Sequence, residues 1–514
     1  MMVTGLPLIS LLIAFPCVSA AALLLVREPH AARVWALVAA LCEVLLAGLV
    51  LFSFDGHSDK FQFVEQHAWI PSLQIDYLVG LDGLSVLFPA CTALLTVAVI
   101  VGSWTSVPSM ARLYFALILM LEGMTIGIFS ALDTALFFLF WELSLVPIYF
   151  LVSLWGSGPR RRFVATQYAL YMLIGGIPIL FACIILALQH ATSDDLPIPA
   201  GLTFNYLSLL STPADTVTQT LVFVLFLLGF GIKIPLVPFH SWLPGIAMEG
   251  PAGLTAMITG IKVGAYGLLR LGIPLAPEAA LHFAPCLTGL GIVGVFFGAL
   301  LALRQHNLRT LLAYASISHV GLVVVAMSIM NLNGIQGAVF QLVNFSLVSG
   351  GLFLIAGCLQ QRLGSTDRVH LGGLASPMPL LTGFAFLFLV AGIGIPGTNG
   401  FIAEWLMLLG IFEHHGGLSL ALLIGTVLSA TYSFGFFRVA FLGPGIRPGV
   451  RQAEDLRPRE LLLFAGLAVL VLWLGVYPRP LIATLDAAAA TWVKQVGGGL
   501  LEQPSQFASA ALND

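Results

Sequence analysis

The sequence predicts an all-α polytopic membrane protein of about fourteen transmembrane helices, and three observations carry that reading. Of the 514 residues, 59% are hydrophobic and only 9% charged, where soluble domains carry roughly 25% charged residues. The apolar residues fall into about fourteen runs bounded by Gly, Pro and charge, each of the order of the ~20 residues that cross a ~30 Å hydrocarbon core. The basic residues of the intervening loops are split 15 to 3 between the two sides those runs define. That asymmetry makes the basic face cytoplasmic and both termini external, as an even number of spans requires.

In order, the runs cover 5–25, 34–53, 80–103, 112–130, 134–154, 165–188, 218–239, 252–273, 283–303, 309–330, 334–360, 378–412, 417–443 and 460–477. The first opens on MMVTGLPLIS, with neither a basic leader region nor a small-residue cleavage site, so it reads as a retained span. The longest loops, near 54–79 and 190–217, are external and too short for a soluble catalytic domain. The seventh run carries Lys233 after the apolar stretch LVFVLFLLGFGI, roughly 18 Å along at ~1.5 Å per residue and so near the middle of the membrane. Pro235 and Pro238 cannot donate, which withdraws the helical partners of the Gly231 and Ile234 carbonyls and predicts a hydrated break there. The twelfth run is long and interrupted by GIGIPGTNG at 392–400. GIKIP (231–235) is echoed by GIGIP (392–396) five spans later. An odd offset turns the second copy over, as an inverted repeat with paired discontinuous helices would. After the last run the chain reads as an external tail.

Charge inside these runs is the functional signal. The chain has four lysines, and two of them, Lys233 and Lys262, lie mid-span. Glu142 in FLFWELSLVP, Glu404 in FIAEWLML, Glu122 in LMLEGMTIG, Glu43 in the second run and His319 in YASISHVGLV are similarly deep. A charged side chain at the bilayer centre costs at least ~2.5–3.5 kcal/mol, so these groups face the bundle interior, where they pair or meet water. For Glu43 and Glu122 a structural role weighs as much as a functional one, and His319 read alone is also consistent with a satisfied core histidine. Burial and a neighbouring carboxylate act in opposite senses on an amine's hold on its proton. A Lys–Glu pair whose separation changes is therefore a proton-affinity switch, and a chain of such groups moves protons without a cofactor. The six cysteines, Cys17, Cys42, Cys91, Cys183, Cys286 and Cys358, lie in apolar runs with no CxxC and read as small core hydrophobes. GLGIVG (289–294) lacks the preceding strand of a dinucleotide site, and EHHGG (413–417) reads as an external turn.

FQFVEQHAWIPSLQIDYLVGLDGLSVL (61–87), FFLFWELSLVPIYFLVSLWG (137–156), GIKIPLVPFHSWLP (231–244), AYASISHVGLV (313–323) and GIPGTNGFIAEW (394–405) resemble subunit M of respiratory complex I, the proton-translocating NADH–quinone oxidoreductase. The resemblance spans nearly the whole chain, and the 61–87 stretch separates subunit M from its sister antiporter-like subunits. It implies an antiporter-like fold of fourteen helices with two inverted five-helix repeats and two broken helices. The layout it implies is an N-terminal three-helix region (1–110), a first repeat (111–275), a second repeat (280–443) and a closing region with the last span and an external tail (444–514).

Residue by residue, the resemblance implies that Glu142 and Lys233 are the carboxylate–lysine pair of a first half-channel and Lys262 the central lysine. His319 is then a connecting histidine, Glu404 the acid of the second broken helix near the external exit, and Glu122 an accessory carboxylate. It implies no cofactor in this chain: NADH, FMN, Fe–S clusters and quinone belong to partner subunits. The implied partners are neighbouring antiporter-like membrane subunits and lipids, with no nucleic acid, in a bacterial inner membrane. Two departures stand out. VNFSLVSG places Phe345 where the family reads Asn-His-Gly, which removes a link between Lys262 or His319 and Glu404. WLPGIA (242–247) replaces the family's WLPDAH at the cytoplasmic entrance. Both would suit a divergent or second copy of subunit M. Alternatives are an antiporter-like subunit of a related assembly (an Mrp-type cation/proton antiporter, a membrane-bound hydrogenase or an inorganic-carbon uptake complex) and a structural copy that has lost transport. The 61–87 stretch argues against the first and retention of the buried charges against the second.

Overall fold

Lipid offers the backbone no hydrogen-bond partner, so apolar runs of this length fold as helices that satisfy themselves. The computed structural model describes residues 6–107, 109–193, 197–445 and 448–501. Residue 5 of the first run, Arg447 in the basic count and the tail from 502 onward lie outside the described residues. Among the described residues eleven helices are long and apolar enough to cross a membrane, and three shorter apolar helices, Leu8–Leu23, Leu87–Gly102 and Pro379–Gly392, accompany them.

Burial sorts these helices into a core and an outer ring. Ala111–Ser130, Ala252–Gly272 and Leu308–Ile329 are each 83% buried in their most apolar stretch, and Leu332–Leu363 is 94% buried. Pro29–Ser53 is only 33% buried and Arg161–Ser193 39%. On the latter, Leu170, Ile174, Ile177 and Phe181 form an exposed apolar stripe at helical spacing. Inside, glycine lets helices touch. Ala284–Arg304 packs on Leu308–Ile329 so closely that a Cβ on Gly298 would lie 2.6 Å from the Ser318 nitrogen, and one on Gly321 2.6 Å from the Gly291 carbonyl oxygen.

Two segments expected to be a loop and a tail carry regular structure. The segment expected as the external loop 54–79 carries an antiparallel hairpin, Gln62–Ile70 with Ile75–Leu81, turned by Pro71–Leu73 and by Gln74 in the left-handed region. Its second strand runs into the expected third span, whose helix starts only at Leu87. The expected external tail begins as a further helix, Arg479–Leu501. Leu481, Leu485, Ala488, Ala489, Trp492 and Val496 are buried along one face of it. This helix docks on Pro277–His282 and Leu332–Asn344, with Gln336 donating to the Asp486 carboxylate.

Candidate functional site

Three of the deep charges, Glu142, Lys233 and Lys262, sit where their helices are interrupted. Asp133 caps the helix Thr134–Leu143, accepting from the Ala135 and Leu136 N–H groups at 2.9 Å. Pro147 cannot donate to the Leu143 carbonyl, and the helix steps at Ser144 before continuing as Leu145–Trp155. Glu142 lies at that step. Its Oε1 is buried without a hydrogen-bond partner among the described residues, and its carboxylate rests over Gly176 of the next helix, where a Cβ would collide with it.

Lys233 is delivered by Thr216–Lys233. Asp215 caps the start of that helix, and hydrogen bonds from the Thr218 hydroxyl and N–H hold its exposed carboxyl below the usual range. The helix ends at Lys233, short of the expected 239. The Gly231 carbonyl, expected to be freed, is taken by the Leu236 N–H at 2.9 Å, and the Ile232 carbonyl by Trp242 Nε1 at 2.9 Å. Lys233 Nζ lies 3.7 Å from the Trp141 ring centroid and donates to Ser144 Oγ at 3.4 Å. The expected Glu142–Lys233 ion pair does not form among the described residues. The ammonium is held instead by residues flanking Glu142 in sequence.

Lys262 occupies a break that no proline announces. Helix Ala252–Gly260 stops, Ile261 and Lys262 leave helical geometry, and Val263–Gly267 resumes. Lys262, only 7% exposed, donates to Ser316 Oγ at 2.6 Å and lies 5.0 Å from the Phe345 ring centroid. Lys233 and Lys262 line one cavity of about 40 Å³ with Ser144, Tyr168 and Trp242, room for about three waters.

Glu404 stands on Asn399–His414, the second half of the broken twelfth run, after a connection with left-handed Gly394 and Gly397. His319 Nδ1 is 3.4 Å from Glu404 Oε1, and His319 Nε2 is 3.5 Å from Tyr432 Oη. His319 thus meets Glu404 directly, without Phe345 between them. A second cavity of about 50 Å³, lined by Ser316, His319, Gln341, Asn344 and Phe345, lies beside them. Glu404 also faces a larger apolar groove with Trp405, Phe412 and Leu420.

Glu122 is not brought to this line. It lies on Ala111–Ser130, fully buried like Glu43 on the neighbouring Pro29–Ser53. Ser144, Trp141, Ser316 and Tyr432 contact the line without having been singled out in the sequence. Cys286 is exposed and Cys17 and Cys42 half-buried, so only three of the six cysteines are core residues. Among the described residues, no three of His, Cys, Asp and Glu are placed as metal ligands would be.

Residues 131–429, which hold the whole line from Glu142 to Glu404, match the family described as NADH:quinone oxidoreductase/Mrp antiporter, transmembrane. The chain is 31% identical to NADH-quinone oxidoreductase subunit M of Rickettsia typhi over 487 residues, covering 93% of this chain and 97% of that one. Against subunit M of Escherichia coli K12 it is 35% identical over 427 residues, 82% and 83% of the two chains. A chain of respiratory complex I from Thermus thermophilus superposes with a TM-score of 0.87 at 31% identity, covering 95% of this chain and 100% of that one. The chain belongs to the NADH:quinone oxidoreductase/Mrp antiporter transmembrane family, and within it to the NADH-quinone oxidoreductase subunit M group.

Proposed function

We propose that this chain is a proton-translocating membrane subunit of an NADH–quinone oxidoreductase, assembled with other antiporter-like subunits in an inner membrane. NADH oxidation and quinone reduction, with their flavin and iron–sulfur groups, belong to other subunits, and this chain moves protons as the complex turns over. Protons are taken up at Glu142 and Lys233, cross the first cavity to Lys262 and leave by His319 and Glu404. Glu122 is an accessory carboxylate off that route. The basic face is cytoplasmic, both termini are external, and 111–275 and 280–443 are inverted repeats of five helices within fourteen spans.

The observation that carries this reading is the line itself. Four ionisable side chains, Lys233, Lys262, His319 and Glu404, follow one another through an apolar bundle by way of hydroxyls and two small cavities, and Glu142 stands at the helix step that carries Ser144. Unused charges at this depth would only destabilise the fold. A copy that has lost transport would need the line cut at Phe345, and the His319–Glu404 contact runs past that residue.

The test uses inverted membrane vesicles containing the intact complex. NADH-driven proton uptake and quinone reductase rate are compared for wild type, Glu142→Gln and Lys233→Ala, after assembly has been confirmed. Both substitutions are expected to collapse coupled uptake. An unchanged rate and an unchanged proton-per-electron ratio in both would make this chain a scaffold.

A further inference from the structure

Phe345 sits where two irregular stretches of backbone meet. The Leu332–Leu363 span widens into a π turn at Phe345–Ser349, a form concentrated at functional sites. Opposite it lies the break at Ile261 and Lys262. Ser346 on the π turn donates its hydroxyl to the Gly260 carbonyl at 2.9 Å, across the break. Glycine permits that approach, since a Cβ at 260 would stand 3.3 Å from the Ser346 Cα and 3.4 Å from the Phe345 carbonyl oxygen. The two irregularities are locked face to face, and the lock puts the Phe345 ring 5.0 Å from Lys262 Nζ while Ser316 Oγ accepts from the same nitrogen at 2.6 Å. No acidic side chain forms an ion pair with this ammonium among the described residues.

The geometry points to Phe345 as a positioning residue: its ring holds the Lys262 ammonium against Ser316, so that the proton leaves through Ser316 and His319 for Glu404 and never crosses position 345. The inference rests on the proton path proposed above. A π face attracts an ammonium without being able to take its proton, so it orients Lys262 and leaves the proton free to go. The Ser316 hydroxyl accepts one proton from Nζ and releases its own, ending unchanged. His319 is three residues on along the same helix face. Between them the cavity of about 50 Å³ takes about three waters, and the buried Asn344 Oδ1, which has no partner among the described residues, is a ready acceptor for one. The imidazole then accepts at one nitrogen and releases from Nδ1, which faces Glu404.

The experiment measures the pH profile of NADH-driven proton uptake by the intact complex in inverted vesicles. Complex content is normalised by the rate with an artificial electron acceptor. Phe345→Leu removes the π face at similar volume, and Phe345→Met replaces it if the leucine variant fails to assemble. Losing a desolvated cation–π contact is expected to move the alkaline limb to lower pH by up to about one unit, and Phe345→Tyr to restore it. Ser316→Ala is expected to lower uptake about tenfold or more across the profile, with Ser316→Thr close to wild type. A wild-type profile in Phe345→Leu, or normal uptake in Ser316→Ala, overturns the assignment. Lys262→Ala separates the two levels. If it abolishes uptake while Phe345→Leu is silent, only the positioning role fails; if it pumps normally, the path itself is wrong.

Discussion

Gly394 and Gly397 both sit in the connection of the broken twelfth span with φ of +75° and +92°, yet they answer to different neighbours. A Cβ on Gly394 would stand 2.6 Å from Glu404 Oε2, whereas one on Gly397 meets nothing within 4 Å. Either alanine substitution carries the strain of a left-handed residue, about 1–2 kcal/mol, but only Gly394→Ala also pushes the Glu404 carboxylate away from His319. Both variants should therefore lose a few degrees of thermal stability in the purified complex, and only Gly394→Ala should lose proton uptake, by about tenfold. Equal uptake in the two would mean that the placement of Glu404 does not matter. This scale also marks how far the sequence could be read. Lys233, Lys262, Glu142 and Glu404 were legible because a charge in an apolar run has few structural uses. Ser144 and Ser316 were not. Hydroxyls are common in these spans and mostly bond the carbonyl four residues back, as Thr92, Thr125 and Thr259 do, so nothing in the letters distinguishes the two that meet a lysine.

At the scale of elements, the helix that carries Ser316 and His319 meets its neighbour through close glycine contacts. Gly321 lies two residues beyond His319, and a Cβ there would meet the Gly291 carbonyl and, at 2.7 Å, the Val295 nitrogen. Both are backbone atoms with no freedom to turn aside. Gly321→Ala should cost about 1–3 kcal/mol by overpacking and reduce the amount of assembled complex. Gly289→Ala, on the facing helix with nothing within 4 Å, should be neutral or slightly stabilising. A melting temperature unchanged by Gly321→Ala would show that the helices part without cost. The same scale shows where reading by hydropathy stops. The apolar runs stand out because most are long and uniform. The hairpin's first strand, Gln62–Ile70, mixes polar and apolar residues on both faces and so carries no clean alternation. Helix Arg479–Leu501 is alanine-rich and too mild to read as a span, although Leu481, Leu485, Ala488, Trp492 and Val496 already trace one face. The break at Lys262 escaped because no proline marks it; it is held from outside, by Ser346 on the Gly260 carbonyl.

Across the whole molecule, that unrecognised C-terminal helix ties two distant parts of the bundle together. Asp486 accepts from Gln336 on the second half of the chain, while Trp492 Nε1 donates to the Leu269 carbonyl on the first at 2.9 Å. Leu269 lies in the π turn Leu268–Gly272, where Ile273 N–H bonds the Leu268 carbonyl. Trp492 supplies the Leu269 carbonyl with a donor from outside the turn. The same turn carries Arg270, which bonds the Asp82 carboxylate and Tyr266 and so anchors the chain leaving the hairpin to the core. If Trp492 sustains this junction, its hydrogen bond and its bulk can be separated. Trp492→Phe keeps most of the packing but leaves a buried carbonyl unpaired, a loss of about 1–3 kcal/mol. Trp492→Ala adds a cavity and should lose about 3–5 kcal/mol. Thermal melting of the intact complex should rank wild type above the phenylalanine variant and that above the alanine variant. Coupled proton uptake below the melting range should be unaltered in Trp492→Phe, because the line from Glu142 to Glu404 does not pass through the junction. A phenylalanine variant as stable as wild type would show that the helix holds the bundle by packing alone, and loss of uptake in a fully assembled one would tie the junction to transport itself.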